Sequence, residues 1–323
     1  MSDPIRPNYV HFPGNVIAKP PCRMLNANMY GFFVKGDLAL IQAYIDQTLN
    51  TVATSDMRFK ALSAYTLLTF TDIENIASKV PPYQQQGWMQ ETDVIIWLPV
   101  AKMVKKLGKE KVDHIYWYPA FICVNNIYAL INGRETWGYN KYLCQYVMPN
   151  IGEQANYFSL SVDAFEPFSL ETKMAEHMLL EVKKVAEGSE NPIVEFVDLV
   201  KEVFALLKSE HDFFDLDFNA LKQLLDGFVH PQMDQILFKQ FPDGLGEKAV
   251  YQAVMHSPSM IKKVHKAAIL THEYQVTFHQ LDTFPLEQMF GLKVGTQDAI
   301  LPFSVLMDFD QEPAFEVATN PAC

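Results

Sequence analysis

Apolar residues recur along this chain with two different periods. Met29 to Val34, Tyr65 to Phe70 and Tyr157 to Phe165 are short runs rich in aromatic and β-branched residues, which predicts strands. Asp93 to Val100 is apolar on both faces, the pattern of a strand buried on both sides. Ile115 to Val124 and Ile127 to Ile131 flank Asn125-Asn126, a good turn dipeptide, and are expected to pair as a hairpin. Leu38, Ile41, Tyr44 and Ile45 fall at helical spacing behind Asp37, the expected N-cap.

The period changes near residue 174. From Met174 to about Val229 the pattern predicts helices. Ile193, Phe196, Val197, Val200, Phe204 and Leu207 make one apolar stripe, with Glu195, Asp198, Lys201 and Glu202 opposite. Pro192 suits a first turn, and Asp217 is the expected cap of a further helix closed by Gly227. Strand patterns return at Gln235 to Phe241, Lys248 to His256, Ile261 to Leu270 and Gln275 to Asp282. Leu286 to Phe309 reads as strand-turn-strand around Gly291 and Gly295. Strands on both sides of a helical block, without regular alternation, predict an α+β fold.

Composition narrows the function. The chain has 323 residues, 49% hydrophobic and 20% charged, the balance of an ordinary globular protein. Its net charge of −12 disfavours a nucleic-acid or anionic-membrane surface, since both need clustered Lys and Arg. The one cationic run, Lys102 to Lys111, is broken by Met103, Val104 and Leu107 and reads as a solvated face. Aromatics reach 13%, enough for a large core or an apolar pocket. Cys22, Cys123, Cys144 and Cys323 have no paired spacing, so neither a zinc site nor a disulfide framework is suggested. Pro4, Pro7, Pro13, Pro20 and Pro21 make residues 1–22 an expected extended arm. No secretory leader pattern and no apolar run of about 20 residues occurs, so a cytoplasmic enzyme or binding protein is expected. His272-Glu273 has its next histidine at His279, out of register for a helical metal face, and no dinucleotide or phosphate-cradling glycine loop is present. No metal and no cofactor is expected.

The candidate chemistry lies at Lys141. The segment Asn132-Gly133-Arg134-Glu135-Thr136-Trp137-Gly138-Tyr139-Asn140-Lys141 sets one lysine just past a glycine-bounded, aromatic-rich turn. A lysine held neutral in an apolar pocket attacks a ketone, and the imine that forms is an electron sink. The segment resembles the lysine motif of the acetoacetate decarboxylase family: Gly-Arg-Glu, three variable positions, Tyr-Pro-Lys. Gly133, Arg134, Glu135, Tyr139 and Lys141 match in identity and register, and Asn140 replaces the proline. Pattern-level similarity runs over residues 20–170 and 232–310, including Lys239 to Pro242 and Ile300-Leu301-Pro302. The resemblance implies a β-barrel-like core at 23–310, a helical insertion at about 174–229, a tail at 311–323 and a homo-oligomer.

It also implies roles. Lys141 is the expected nucleophile, and Glu91, just before the buried strand, is expected to shuttle protons or steer the substrate. Arg134, Glu135 and Trp137 are the substrate-binding candidates. Arg134 and Glu135 can instead brace the turn, and Trp137 can instead pack in the core. Short family members carry a second lysine after the first; Tyr142 stands there, so burial against Trp137, Tyr139 and Tyr142 is expected to lower the pKa of Lys141. Two family features are missing. Ala27 falls where an arginine faces the substrate carboxylate, with Arg23 out of register. Tyr65, Thr66 and Thr69 lie where a second glutamate is found. The expected function is a lysine-imine enzyme acting on a small keto acid, most simply a decarboxylase. An imine-dependent aldolase or dehydratase, or a non-catalytic barrel holding an apolar carbonyl ligand, are the alternatives.

Overall fold

The computed structural model describes residues 8–11, 18–106, 108–192, 199, 201–203, 205–206 and 232–320. The strands in chain order are β1 (Cys22–Lys35), β2 (Met57–Ala61), β3 (Tyr65–Ser78), β4 (Met89–Lys106), β5 (Lys109–Val124), β6 (Lys141–Leu143), β7 (Gln145–Val147) and β8 (Tyr157–Ala164). They continue with β9 (Ala175–Ala186), β10 (Glu190–Pro192), β11 (Gln232–Pro242), β12 (Ala249–Leu270), β13 (Glu273–Phe278), β14 (Gly295–Gln311) and β15 (Phe315–Thr319). Seven of them close a ring in the order β12-β11-β5-β4-β3-β1-β14, with β14 returning to β12. The β11–β5 seam is parallel and the others are antiparallel. A second sheet leaves the ring through the first residues of β14 and runs β13-β9-β8-β7. β14 passes between the sheets at Ile300-Leu301-Pro302, where Leu301 takes a left-handed φ of 46°. The described residues are thus mostly sheet with few helices. No helix among the described residues is long and apolar enough to cross a membrane.

The two-faced strand explains how the ring is filled. On β4, Val94, Ile96, Leu98 and Val100 pack outward against Ile41 and Ile45 of α1 (Leu38–Gln47) and against Phe158 of the second sheet. The alternate residues Ile95 and Trp97 point inward beside Ile122, Phe303 and Val305. Two cores on one strand leave no solvated face, which is why the run carries almost no polar residue. Asp37 caps α1 as expected, its Oδ1 accepting from the amides of Ala39 at 2.8 Å and Leu40 at 3.0 Å.

Several expectations are corrected. The segment after Asn125-Asn126 is a helix, α3 (Ile127–Asn132), following the short α2 (Leu49–Val52). Asn126 accepts from the amides of Tyr128 at 2.9 Å and Ala129 at 3.4 Å, so it acts as an N-cap and not as a hairpin turn. The helical block does not begin at Met174: residues 175–186 form β9, paired to β8 and β13 on its two edges. Leu180 and Val182 are buried there while Lys183 faces out, a period-2 signal that pairing on both sides selects over helix. Further on, the described residues of 199–206 are helical, with Leu199 and Val203 buried. Ile193, Phe196, Val197, Val200, Phe204, Leu207, Asp217 and Gly227 lie outside the described residues. The two strands expected at 248–256 and 261–270 are one strand, β12, with register shifts at Ile261/Lys263 and Val264/Lys266. Leu286 opens a short helix, α4 (Leu286–Phe290), ended by Gly291 in the left-handed region at φ 73°, before β14 begins.

Candidate active site

Strand parity assembles the first half of the site. Glu91, Asp93, Ile95 and Trp97 are two residues apart on β4, and all four face the interior of the ring. Glu91 is 4% exposed.

The second half comes from the turn after α3. Gly133–Trp137 forms a π-helical segment, a rare geometry that recurs at functional sites. The amides of Gly138 and Tyr139 both donate to the Gly133 carbonyl, at 2.9 and 3.0 Å, which folds the chain back. Gly138 takes φ 99°, available to glycine at low cost. The chain then enters β6 parallel to β5, with Lys141 opposite Ile122. Gly133 has a further use: a Cβ there would sit 2.6 Å from Cδ and 2.8 Å from Cε of Lys141. The lysine arm runs through space that only a glycine leaves open.

Lys141 is 8% exposed, and its Nζ donates to Glu91 Oε1 in a very short ion pair. Asp93 Oδ1 lies 3.5 Å from the same Nζ and has no hydrogen-bond partner among the described residues. The Tyr139 ring centroid is 5.4 Å from Nζ. Tyr139 donates to Gln235 Oε1 at 2.8 Å; Gln235 Nε2 donates to Ser259 Oγ at 2.6 Å, and Ser259 to Gln311 Oε1 at 2.6 Å. The interior cavity beside these groups measures about 170 Å³.

The electrostatics differ from the sequence expectation. Burial pushes the Lys141 ammonium down, but the Asp93 and Glu91 carboxylates together push it up by more, and the net direction is upward. Burial, followed by the charge of Glu91, holds Asp93 well above the usual carboxylate range, with Lys141 pulling part of the way back. The state of lowest cost in this apolar surround is neutral overall: one ammonium, one carboxylate and one carboxylic acid. A neutral lysine is then one internal proton transfer away, with no net loss of a proton from the site. Burial also lifts Tyr139 well above the usual phenol range, so its hydroxyl stays a donor.

The remaining sequence candidates lie elsewhere. Arg134 Nη1 donates to the Lys141 carbonyl at 3.1 Å and to Asn140 Oδ1 at 3.5 Å, bracing the turn from outside. Glu135 is exposed and accepts from Tyr9 at 3.0 Å. Trp137 is buried with Cys22, Leu237 and Met255 and donates from Nε1 to the Glu312 carbonyl at 3.0 Å. None of the three lines the cavity. Tyr142 stacks on Phe121 in the outer core, so of the three aromatics expected around Lys141 only Tyr139 faces its amine. Ala27 is fully buried in the inner core, and the threonines of β3 are engaged: Thr66 donates to the Val34 carbonyl at 3.2 Å, and Thr69 accepts from Trp97 Nε1 at 2.9 Å. Sequence reasoning passed over Asp93 and Gln235. For Asp93 a signal was present, since i and i+2 on a strand share a face. For Gln235 none was, because β11 reaches Tyr139 only through the closure of the ring.

No family model matches the chain, and no curated protein matches it. Solved structures do. Acetoacetate decarboxylase from Legionella pneumophila superposes with a TM-score of 0.58 at 13% identity, covering 98% of this chain and 94% of that one. An acetoacetate decarboxylase-like enzyme from Sphingomonas wittichii gives 0.53 at 10% identity, covering 97% and 99%. The enduracididine biosynthesis enzyme MppR, complexed with the condensation product of pyruvate and imidazole 4-carboxaldehyde, gives 0.51 at 9% identity, covering 94% and 91%. The ring and its flanking sheet are the fold of acetoacetate decarboxylase. This chain is a divergent example of that fold, matched over nearly its whole length.

Proposed function

We propose that the protein is an enzyme that forms an imine between Lys141 and a keto acid, and that it acts as a decarboxylase. One observation carries the reading: Lys141, the one buried lysine among the described residues, lies inside the ring, ion-paired to Glu91 and bordered by an apolar cavity. Substrate entry transfers the ammonium proton to Glu91. Nζ then attacks the ketone carbon, Glu91 returns its proton to the carbinolamine oxygen, and water leaves as the iminium forms. The bond to the carboxylate breaks, its electron pair moves to the iminium nitrogen, and carbon dioxide departs. The enamine carbon takes a proton from Asp93, and water hydrolyses the imine to free the ketone and the amine. In balance, a keto acid anion and one proton become a ketone and carbon dioxide.

A second reading, imine-dependent aldol condensation or dehydration, is favoured by Asp93. Two carboxyl groups of opposed protonation flank one amine, an acid and a base for moving protons at the carbon next to the iminium. Release of carbon dioxide from 3-oxo acids, set against condensation of a ketone with an aldehyde, separates the two. A protein that does neither and forms no imine is a binding module.

Acetoacetate is expected to be a poor substrate. With Ala27 in place of an arginine its carboxylate lacks a charge-assisted contact worth about 1.5–3 kcal/mol, or roughly 10- to 150-fold in kcat/KM. Turnover of acetoacetate faster than that of any larger 3-oxo acid would contradict this.

Asp93→Asn tests the charge state. A carboxyl whose folded pKa is raised binds its proton more tightly in the native state, so its stabilising effect is complete below its unfolded pKa of about 4 and is lost as pH rises towards the folded value. The asparagine variant therefore gains on the wild type with rising pH. Thermal unfolding should show a gain of about 1–3 kcal/mol at pH 7 and less at pH 4. The pKa of Lys141 should fall, because Asp93 is the largest of the influences that raise it. An equal gain at both pH values would mean that Asp93 is already ionised.

A further inference from the structure

The wall beyond the triad of Lys141, Glu91 and Asp93 has its own chemistry. Along β4 the inward positions after Asp93 are Ile95 and Trp97, so the cavity face runs about 13 Å from carboxyl to indole at ~3.3 Å per residue. Leu67 lies beside Trp97 on the neighbouring strand, and Met29, Val305 and Phe303 continue the wall around the ring. Phe303 is held back by a missing side chain, since a Cβ on Gly31 would lie 2.2 Å from its Cζ. The ring therefore folds over Gly31 and leaves the chamber open. Met24, Met233 and Met307 complete the lining with flexible thioethers that adapt to an irregular guest. The polar atoms of Gln235, Ser259 and Gln311 are bonded to one another. Among the described residues that line the cavity, Lys141 is the one cation. A chamber of about 170 Å³ with such walls compares with the roughly 150 Å³ apolar cavity that stays dry and takes up benzene.

We propose that the occupant is a carbonyl compound bearing a hydrocarbon substituent at least the size of a phenyl ring or a hexyl chain. Its carbonyl sits at Lys141, and its tail lies along Ile95, Trp97, Leu67 and Phe303. The orientation of the carbonyl rests on the imine reading of Lys141; the tail chamber does not. Each methylene moved from water into these walls should raise affinity or kcat/KM about fourfold, so four added carbons give on the order of 100-fold.

The test uses methyl ketones of rising length, acetone, 2-butanone, 2-hexanone and 2-octanone, with acetophenone as the aromatic member. Binding is read from the fluorescence of Trp97 and Trp117, which both line the cavity, in the wild type and in Lys141→Met. Borohydride labelling of Lys141 is read in parallel. The expected result is a stepwise rise in affinity up to 2-octanone in both proteins and strong binding of acetophenone. Val305→Phe, which fills the chamber, should flatten the series while acetone still labels Lys141. Should that variant fail to fold, the wild-type series decides alone. Affinity that is flat with chain length, with Lys141 still labelled, overturns the apolar-tail proposal and leaves the imine reading standing. A stepwise rise with no labelling by any ketone keeps the tail chamber and removes the imine reading.

Discussion

Lys141→Met is expected to lose at least about 10⁴-fold in turnover, as happens when a covalent nucleophile is removed from a site whose other groups act only through it. The fold should persist at a cost. Methionine fills much of the lysine's volume, but Glu91 and Asp93 are left buried without their cation, and removing one partner of a buried pair costs about 3–5 kcal/mol. That cost has a sign in pH. Without Nζ both carboxyls prefer their protonated forms, so the variant should recover stability as pH falls. Glu91→Gln added to Lys141→Met should restore stability at neutral pH and no activity at all. Urea unfolding at pH 5 and pH 8, beside a turnover assay, checks both halves. A single variant equally destabilised at the two pH values would mean that the carboxyls are not held by the lysine.

Gly133→Ala should be the next most damaging change, and it acts at a distance from the chemistry. Gly133 has φ −60° and ψ −46°, so alanine suits its backbone. The new methyl meets the lysine arm first, 2.6 Å from Cδ and 2.8 Å from Cε. A flexible arm yields by swinging aside, which draws Nζ from Glu91 and from the reacting position. A misplacement of about 1 Å at a catalytic group costs on the order of 10²-fold in rate. Stability should fall, because drawing Nζ from Glu91 weakens the buried ion pair, and the gain of up to about 1 kcal/mol from the helix propensity of alanine offsets only part of that loss. The signature is therefore reduced kcat/KM with a smaller loss of stability than in Lys141→Met, where the cation is removed altogether. Activity equal to that of the wild type would show that the arm has another route to the site.

These two effects define what was legible in the sequence. Lys141 and Glu91 lie far apart in the chain, and their meeting could be anticipated only from a motif register, because nothing local to either residue announces the other. Asp93 was readable by parity alone: a strand that turns Glu91 inward turns Asp93 inward too. Arg134, Glu135 and Trp137 stand near the lysine in sequence but none reaches its amine or the cavity, because the π-helical segment and Gly138 turn their side chains to the outside and to a separate core. The strand β4 was legible because two apolar faces admit no other surround. The helix α3 was not, since Asn125-Asn126 serves a turn and an N-cap equally well, and packing chose the cap. Likewise β9 competes locally as helix, and its two partner strands decide. The fold was clearest where both faces were apolar and least clear where tertiary pairing chose between two local options.

The raised pKa of Lys141 in the ligand-free protein fits imine chemistry once the triad is treated as a unit. The proton that blocks the amine is held by its carboxyl neighbours, and Glu91 can take it back when an apolar guest expels water. Borohydride reduction in the presence of 3-oxooctanoate or 2-octanone, followed by peptide mass mapping, tests this most directly. The expected result is one adduct, on the peptide that carries Lys141, together with loss of turnover, and no adduct in Lys141→Met. An adduct on a different lysine, or undiminished turnover by Lys141→Met, would contradict it.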